Sequence, residues 1–361
     1  MLSPEEILTL HQELVAIPSF SGSEARIADF LQEWLRARGV AVERLGHSLL
    51  ATVGEGPLLL LDTHLDTVPP APGWTRDPFR PRVEGGRVYG LGANDAKASV
   101  AAMVAAFLAL ASSPPPLTVA LALVEGEETR GNGTQAVLVE LGKRPAPLVA
   151  ALFGEPTGLD LAVAQKGLLV LELQARGEAC HAAHARRLGA RNAAVALARD
   201  LLAVAALEVG PPHPRLGPVT IEPTVVRAGT ARNVVPGEAT AVLDVRTVPG
   251  LHREVVERVQ AAVQSEVRVL SDRLRPRETA PEAAIVRAAL RARPGARLYG
   301  SATLSDLVFV DGVPAVKCGP GRSERSHTPD EFVLEDEILA GAQFYLDLAS
   351  AFGDLVAAEA A

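Results

Sequence analysis

Apolar residues recur along the chain in two rhythms. From Ser3 to Ile17 they fall at helical spacing, with Ile7, Leu8, Leu10 and Leu14 on one side and Pro18 as the stop. A second helix is predicted over roughly Glu24 to Arg38, capped by Ser21 or Ser23 and ended by Gly39. Between Pro57 and Asp62 the pattern changes to an unbroken run of leucine, of strand length. A strand apolar on both faces belongs inside a sheet that helices cover on both sides. Leu117 to Val124 and Leu148 to Phe153 read the same way, and Val313 to Lys317 does so more weakly. Helical segments at Ala96 to Ala111 and Gly133 to Gly142 lie between them. Alternation of this kind predicts an α/β domain with a mainly parallel sheet flanked by helices.

The middle of the chain follows another rule. Leu168 to Ala175 alternates apolar and polar residues, as a half-exposed strand does. A helix is expected over Arg191 to Leu207, strands over Val219 to Val226 and Ala239 to Arg246, and a helix over His252 to Gln264. This order predicts an α+β domain inserted at 168–277, with 1–167 and 278–361 forming the α/β domain. The Pro-rich stretches at Pro114 to Pro116 and Pro211 to Pro214 read as loops.

Composition narrows the function. With 361 residues, about two domains of roughly 150 residues, or one domain carrying a large insertion, are expected. Hydrophobic residues make up 48%, enough for substantial cores. A net charge of −8 argues against a nucleic-acid partner. Only Cys180 and Cys318 are present, which excludes a disulfide framework and, with no CxxC pair, argues against a thiolate zinc site. Any metal would sit on His, Asp and Glu. No basic segment followed by an apolar one opens the chain, and the Ala98 to Ala111 run is shorter than the roughly 20 residues of a spanning helix. A cytoplasmic protein without membrane contact is the expectation.

The chemistry-bearing residues follow the buried strands. After the leucine run come His64 and Asp66; after Val124 come Glu125, Glu127 and Glu128; after Phe153 come Gly154 and Glu155. Ligands of open α/β sheets bind beyond the carboxyl ends of the strands. Three strands thus deliver His and carboxylates to one edge, where the carboxylates would repel one another unless a cation neutralised them. Asp95 and His327 are further candidates. His64 and Asp66, at spacing i, i+2, point the same way on an extended chain, so the carboxylate can hold the second ring nitrogen of a ligand imidazole. Glu127 and Glu128 point differently, so one can bind metal while the other faces water. Asp95, at the head of the Ala-rich helix, could also be an ordinary N-cap. Gly90-Leu-Gly92 lacks the third glycine of a dinucleotide fingerprint, because Asp95 stands in its place.

Taken together, His64-Leu-Asp66-Thr-Val-Pro69, Gly92-Ala-Asn-Asp95-Ala-Lys97, Glu125-Gly-Glu127-Glu128, Gly154-Glu155-Pro-Thr157 and Ser326-His327-Thr-Pro resemble the M20 metallopeptidase family. These are co-catalytic zinc amidohydrolases that include acetylornithine deacetylase, succinyl-diaminopimelate desuccinylase and carboxypeptidase G. The motifs run in family order across almost the whole chain. The resemblance implies two divalent ions, zinc or alternatively cobalt. His64 and Glu155 would hold one, Glu128 and His327 the other, and Asp95 would bridge them. It further implies that Asp66 orients His64, that Glu127 is the general base, and that the Asp95–Ala96 peptide is cis. The inserted domain would be a lid and homodimer interface entered through a hinge at Lys166-Gly167. From it His181 or His184 would donate to the oxyanion, while Asn233 and Arg246 would grip a substrate carboxylate.

Two departures bear on substrate. Ala96 and Ala98 stand where many relatives carry Met and Gly, and Tyr299 to Asp306 replaces a glycine-rich stretch. The short lid and overall length are most similar to the branch that releases lysine, in some members ornithine, from the C-terminal Glu side chain of an acidic amino-group carrier protein in lysine and arginine biosynthesis. Arg186, Arg187, Arg322 and Arg325 would then form a basic rim. Acetylornithine deacetylase and succinyl-diaminopimelate desuccinylase are the alternatives, and a non-catalytic binding homologue is a third class.

Overall fold

The computed structural model describes residues 2–360. Its chain divides into two compact units, one built from 1–163, 279–299 and 305–361, the other from 164–278 and 300–304. Residues 300–304 therefore leave the first unit in the middle of the stretch from Tyr299 to Asp306.

The first unit is organised by four buried strands. Leu58–His64 lies between Thr118–Val124 and Leu148–Phe153, and Ala315–Lys317 follows Leu148–Phe153, all parallel. Ser48–Val53 and Glu43–Leu45 extend one side antiparallel, and Leu161–Gln165 pairs antiparallel on the other. Side chains alternate between two cores, as a pleated strand requires. Leu59, Leu61, Leu121 and Leu152 face the helices Pro4–Val15, Ala25–Arg36, Lys97–Ser112, Ala284–Ala292 and Glu335–Ala360. Leu58, Leu60, Ala122 and Phe153 face the helix Asn132–Leu141 and residues Leu307 and Val310. The small residues of Lys97–Ser112 let it be buried on nearly every side. A three-stranded antiparallel sheet, Arg82–Glu84, Arg87–Tyr89 and Phe332–Leu334, ties a late segment to an early one.

The second unit is an antiparallel sheet in the order Thr220–Ala228, Glu238–Thr247, Gly167–Arg176, Glu266–Leu274. Helices Ala193–Ala205 and Glu254–Ala262 pack on one face through Leu197, Val204, Val255 and Val259, against Leu169, Leu171, Leu173 and Leu243. The alternation at Gly167–Arg176 is the predicted half-exposed pattern.

Several local expectations are corrected. Neither Ser21 nor Ser23 caps the second helix: Glu24 stands at its N-cap without a capping bond to the helix, and the Ser21 hydroxyl donates instead to Asp66. Asp95 is not a cap either, since Ala96 occupies that place. The strands Glu43–Leu45, Ser48–Val53 and Glu266–Leu274 were hidden because charged and small residues interrupt their alternation.

His11 lies on the buried side of the first helix, with Nε2 2.8 Å from the Ala93 carbonyl. Burial pulls its pKa from 6.5 down to about 4. Between those values the unfolded chain binds the proton and the folded chain does not, so the stability is complete above 6.5 and is lost as pH falls towards 4. In urea melts at pH 7 and pH 4.5, wild type should lose about 2 kcal/mol more than His11→Gln between the two conditions. Equal losses would show that the imidazole is not buried neutral.

Candidate metal centre

Strand register brings the motifs together. His64 ends its strand opposite Val124, and the Leu65 amide donates to the Val124 carbonyl at 2.7 Å, so the Glu125–Glu128 turn starts beside the imidazole. On the other side the Gly154 amide donates to the Asp62 backbone carbonyl at 2.7 Å and delivers Glu155. Glycine is required at 154: a Cβ there would lie 2.7 Å from Met103 Cε and 2.9 Å from Ser99 Cβ. Asp95 arrives from the loop after Arg87–Tyr89, and its peptide to Ala96 is cis. His327 comes from a polar loop and adopts φ 59°, an uncommon conformation outside glycine.

The two oxygens of Asp95 face different imidazoles. Oδ1 lies 3.2 Å from His64 Nε2, and Oδ2 lies 3.7 Å from His327 Nε2. His327 Nε2 is also 2.9 Å from Glu128 Oε1. Donor atoms of His64, Glu127 and Glu155 lie within 4.8 Å of one another, as do those of His64, Asp95 and Glu128. The structure thus assembles all six residues, and their nitrogen and oxygen donors suit divalent ions such as zinc.

Asp66 does more than its spacing predicts. His64 Nδ1 bonds the Asp66 backbone carbonyl at 2.9 Å, while the nearer carboxylate oxygen is 3.6 Å away. The carboxylate accepts the backbone N–H groups of Glu127 and Glu128, each at 3.1 Å, and the Ser21 hydroxyl at 2.7 Å. Asp66 therefore orients the imidazole through its main chain and clamps the Glu127–Glu128 turn through its side chain.

Crowding shows in the titration of these groups. Burial pushes the Glu127 carboxyl well up, and the neighbouring Glu155 adds to it. Burial, then Asp95, pushes Glu155 up to about 8. For His64, burial works against charge, but bonds to Asp66 and Asp95 outweigh it and hold the ring well above its ordinary value. The bond to Glu128 lifts His327 to about 9. Both sets of shifts reflect negative charge crowded out of water, which a cation bound among these ligands would offset.

Sequence reasoning missed three sets of groups. Lys317, buried at the end of its parallel strand, carries a charge that acts on Glu155 and is itself held down by burial. Its signal was available, since the strand-end rule that found His64 applies to it. The Thr134 hydroxyl joins the buried carboxylates of Asp62 and Asp306. Glu331 is 2% exposed and bonds the loop that carries Asp95.

The remaining expected residues lie in the second unit, apart from two arginines. His181 and His184 are exposed, with ring centroids 5.5 Å apart, and His181 Nδ1 accepts the Ala183 amide. Asn233 is exposed, and its carbonyl accepts the Ala182 amide. Arg246 is not a free fork: it bonds both Asp244 oxygens, at 2.8 and 3.2 Å. Lys166 Nζ donates to the Pro218 carbonyl at 2.7 Å. Arg186 and Arg187 are exposed on a four-residue helix. In the first unit Arg322 is exposed, whereas Arg325 is tied to Glu337 at 2.6 and 3.2 Å and is not free to form a rim.

Imidazoles and carboxylates gathered at the carboxyl edge of such a sheet form a candidate centre for a metal-dependent hydrolase. The sequence profile of peptidase family M20/M25/M40 matches residues 60–351, and the chain belongs to that family. This places it among metal-dependent hydrolases of amide bonds. A peptidase M20 domain-containing protein of Schizosaccharomyces pombe is 28% identical over 358 residues, covering 94% of this chain and 83% of the relative. A probable carboxypeptidase of Aspergillus clavatus is 35% identical over 284 residues, covering 73% of this chain and 62% of the relative. The match thus spans less than two thirds of that fungal protein. The solved structure of aminopeptidase PepT from Bacillus cereus shares the fold with TM-score 0.81 at 21% identity, covering 97% of this chain and 99% of that one. A dinuclear metal-binding M20 peptidase from Bacillus subtilis does so with TM-score 0.72 at 17% identity, covering 96% and 97%. Among the described residues no helix is long and apolar enough to cross a membrane.

A ligand that binds only the folded state raises its stability, by about 2.7 kcal/mol at 100 times the dissociation constant. Zinc or cobalt added to chelator-treated protein should therefore raise Tm, and Asp95→Ala should lose most of the rise. An equal rise in the variant would show that the ions bind elsewhere.

Proposed function

We propose that the protein hydrolyses the amide bond between an acyl group and the nitrogen of an α-amino acid whose own carboxylate is free. Asp95 carries the reading, because each of its oxygens faces a different imidazole, at 3.2 and 3.7 Å, as a bridge between two ions requires. His64 with Glu155, and Glu128 with His327, would hold the two ions, zinc in the first instance. A pair of divalent ions there supplies a water activated at neutral pH and a polarised scissile carbonyl. Glu127 accepts the water proton on its carboxylate and returns it to the leaving nitrogen as the C–N bond breaks. Its raised proton affinity suits that transfer. His181 or His184 would donate to the oxyanion. Asn233 and Arg246 would bind the product carboxylate, with Arg246 exchanging Asp244 for the substrate.

The bond class joins the finer readings. The fungal relatives are named carboxypeptidases, and a carboxypeptidase releases a residue with a free carboxylate. Lysine attached through its α-amine to the C-terminal Glu side chain of a carrier protein leaves in the same form. So do the amines of acetylornithine and succinyl-diaminopimelate. Release from a polypeptide end is favoured over the small acyl amino acids, because peptidases and carboxypeptidases stand among the relatives. Homodimerisation through the second unit belongs to the same proposal. Its edge strand Thr220–Ala228 exposes Val225 and Val226, and exposed edges are normally covered.

Amine release should be followed from C-terminal dipeptides, lysine-loaded and ornithine-loaded carrier protein, acetylornithine and succinyl-diaminopimelate. Release from peptides or loaded carriers with the small substrates untouched is expected; the reverse would overturn the polypeptide-end reading. Glu127→Ala should lower kcat by about 10²–10⁴-fold with ion binding retained. Wild-type turnover in that variant would remove Glu127 as the base.

A further inference from the structure

The segment that supplies His327 does more than offer an imidazole. Four residues on, Glu331 turns inward and its carboxylate accepts three backbone N–H groups of the Asp95 loop. Oε2 takes Gly92 at 3.0 Å, and Oε1 takes Asn94 and Asp95, each at 2.9 Å. The small antiparallel sheet fixes this reach. Phe332 pairs with Tyr89, and the Gly90 amide donates to the Glu331 carbonyl at 3.0 Å, so the glutamate enters beside the start of the loop. Asn94 makes a second tie in the opposite direction. Its Nδ2 donates to the Arg322 carbonyl at 3.0 Å and to Ser326 Oγ at 3.1 Å, while Oδ1 accepts the Arg322 amide at 2.9 Å. The loops carrying Asp95 and His327 are thus stapled to one another.

We infer that Glu331 is a positioning residue, whose clamp on the Gly92–Asp95 backbone holds the Asp95 carboxylate facing both His64 and His327. Burying a carboxylate costs free energy unless hydrogen bonds satisfy it, and Glu331 spends all three of these bonds on one loop. A carboxylate only accepts hydrogen bonds. Glutamine would place an NH₂ against at least one of these N–H groups in either orientation, because both oxygens are in use. The charge and shape of Glu331 are therefore matched to that loop. Residues that orient metal ligands commonly change affinity by about 10–100-fold when altered.

The inference rests on the two-metal reading, and the test separates the two. Chelator-treated wild type, Glu331→Gln and Glu331→Asp are titrated with Co²⁺ by calorimetry, the visible absorption of the bound ion is recorded, and the metal-free melts are compared. Wild type should take up two ions per chain. Glu331→Gln should bind about 10–100-fold more weakly with an altered spectrum. Glu331→Asp, which keeps the charge but loses one methylene of reach, should fall between. Wild-type affinity and spectrum in Glu331→Gln overturn the inference, whatever its melting temperature. If that variant does not fold, wild-type affinity and spectrum in Glu331→Asp overturn it instead. Fewer than two ions in wild type would overturn the two-metal reading itself, and this inference with it.

Discussion

Carboxylates packed together out of water repel one another, and each must find donors or a cation. That constraint shapes the carboxyl edge of the parallel sheet. The outer carboxylates solve it by bonding to the backbone. Asp66 takes the amides of Glu127 and Glu128, Glu24 takes those of Gly22 and Gly126, and Glu331 takes those of Gly92, Asn94 and Asp95. Each satisfied carboxylate fixes a loop, and the loops carry the inner carboxylates. The inner set, Asp95, Glu127, Glu128 and Glu155, faces the imidazoles of His64 and His327 and the amine of Lys317. Such a set has the donor atoms that divalent ions take, on loops fixed by the outer carboxylates.

The sheet supplies the stillness. Leu58–His64 and Thr118–Val124 are buried along their whole length and pair in unbroken register. A slip of one residue would turn every leucine to the wrong core and carry His64 away from the Glu125 turn. The same packing that stabilises the first unit therefore sets the positions of the ligands. The second unit is built more lightly: its helices cover one face of the sheet, and its edge strands remain open.

Much of the fold and site was legible because the governing rules are local. Strand and helix are read from the spacing of apolar residues, and the leucine run marks a buried strand without reference to the rest of the chain. The rule that ligands gather beyond strand ends then selects His64, Glu127, Glu128 and Glu155. Lys317, at the end of the weaker run Val313 to Lys317, obeys that rule too and was overlooked. Glu266–Leu274, an edge strand rich in charge, gave no clear alternation and was missed for that reason.

Apolar period and residue type are properties of short segments, so the two kinds of fold and the candidate site residues could be read from the sequence alone. Only the tertiary structure decided how those residues are held. Asp66 looked like a partner for the neighbouring imidazole, but its carboxylate reaches amides 61 and 62 residues away. Glu331 acts across 236 residues on the backbone of Asp95. Every residue except proline has the same N–H, so nothing in an amino-acid pattern marks which amides a distant carboxylate will find. That choice is made when the strands pair and bring the loops together.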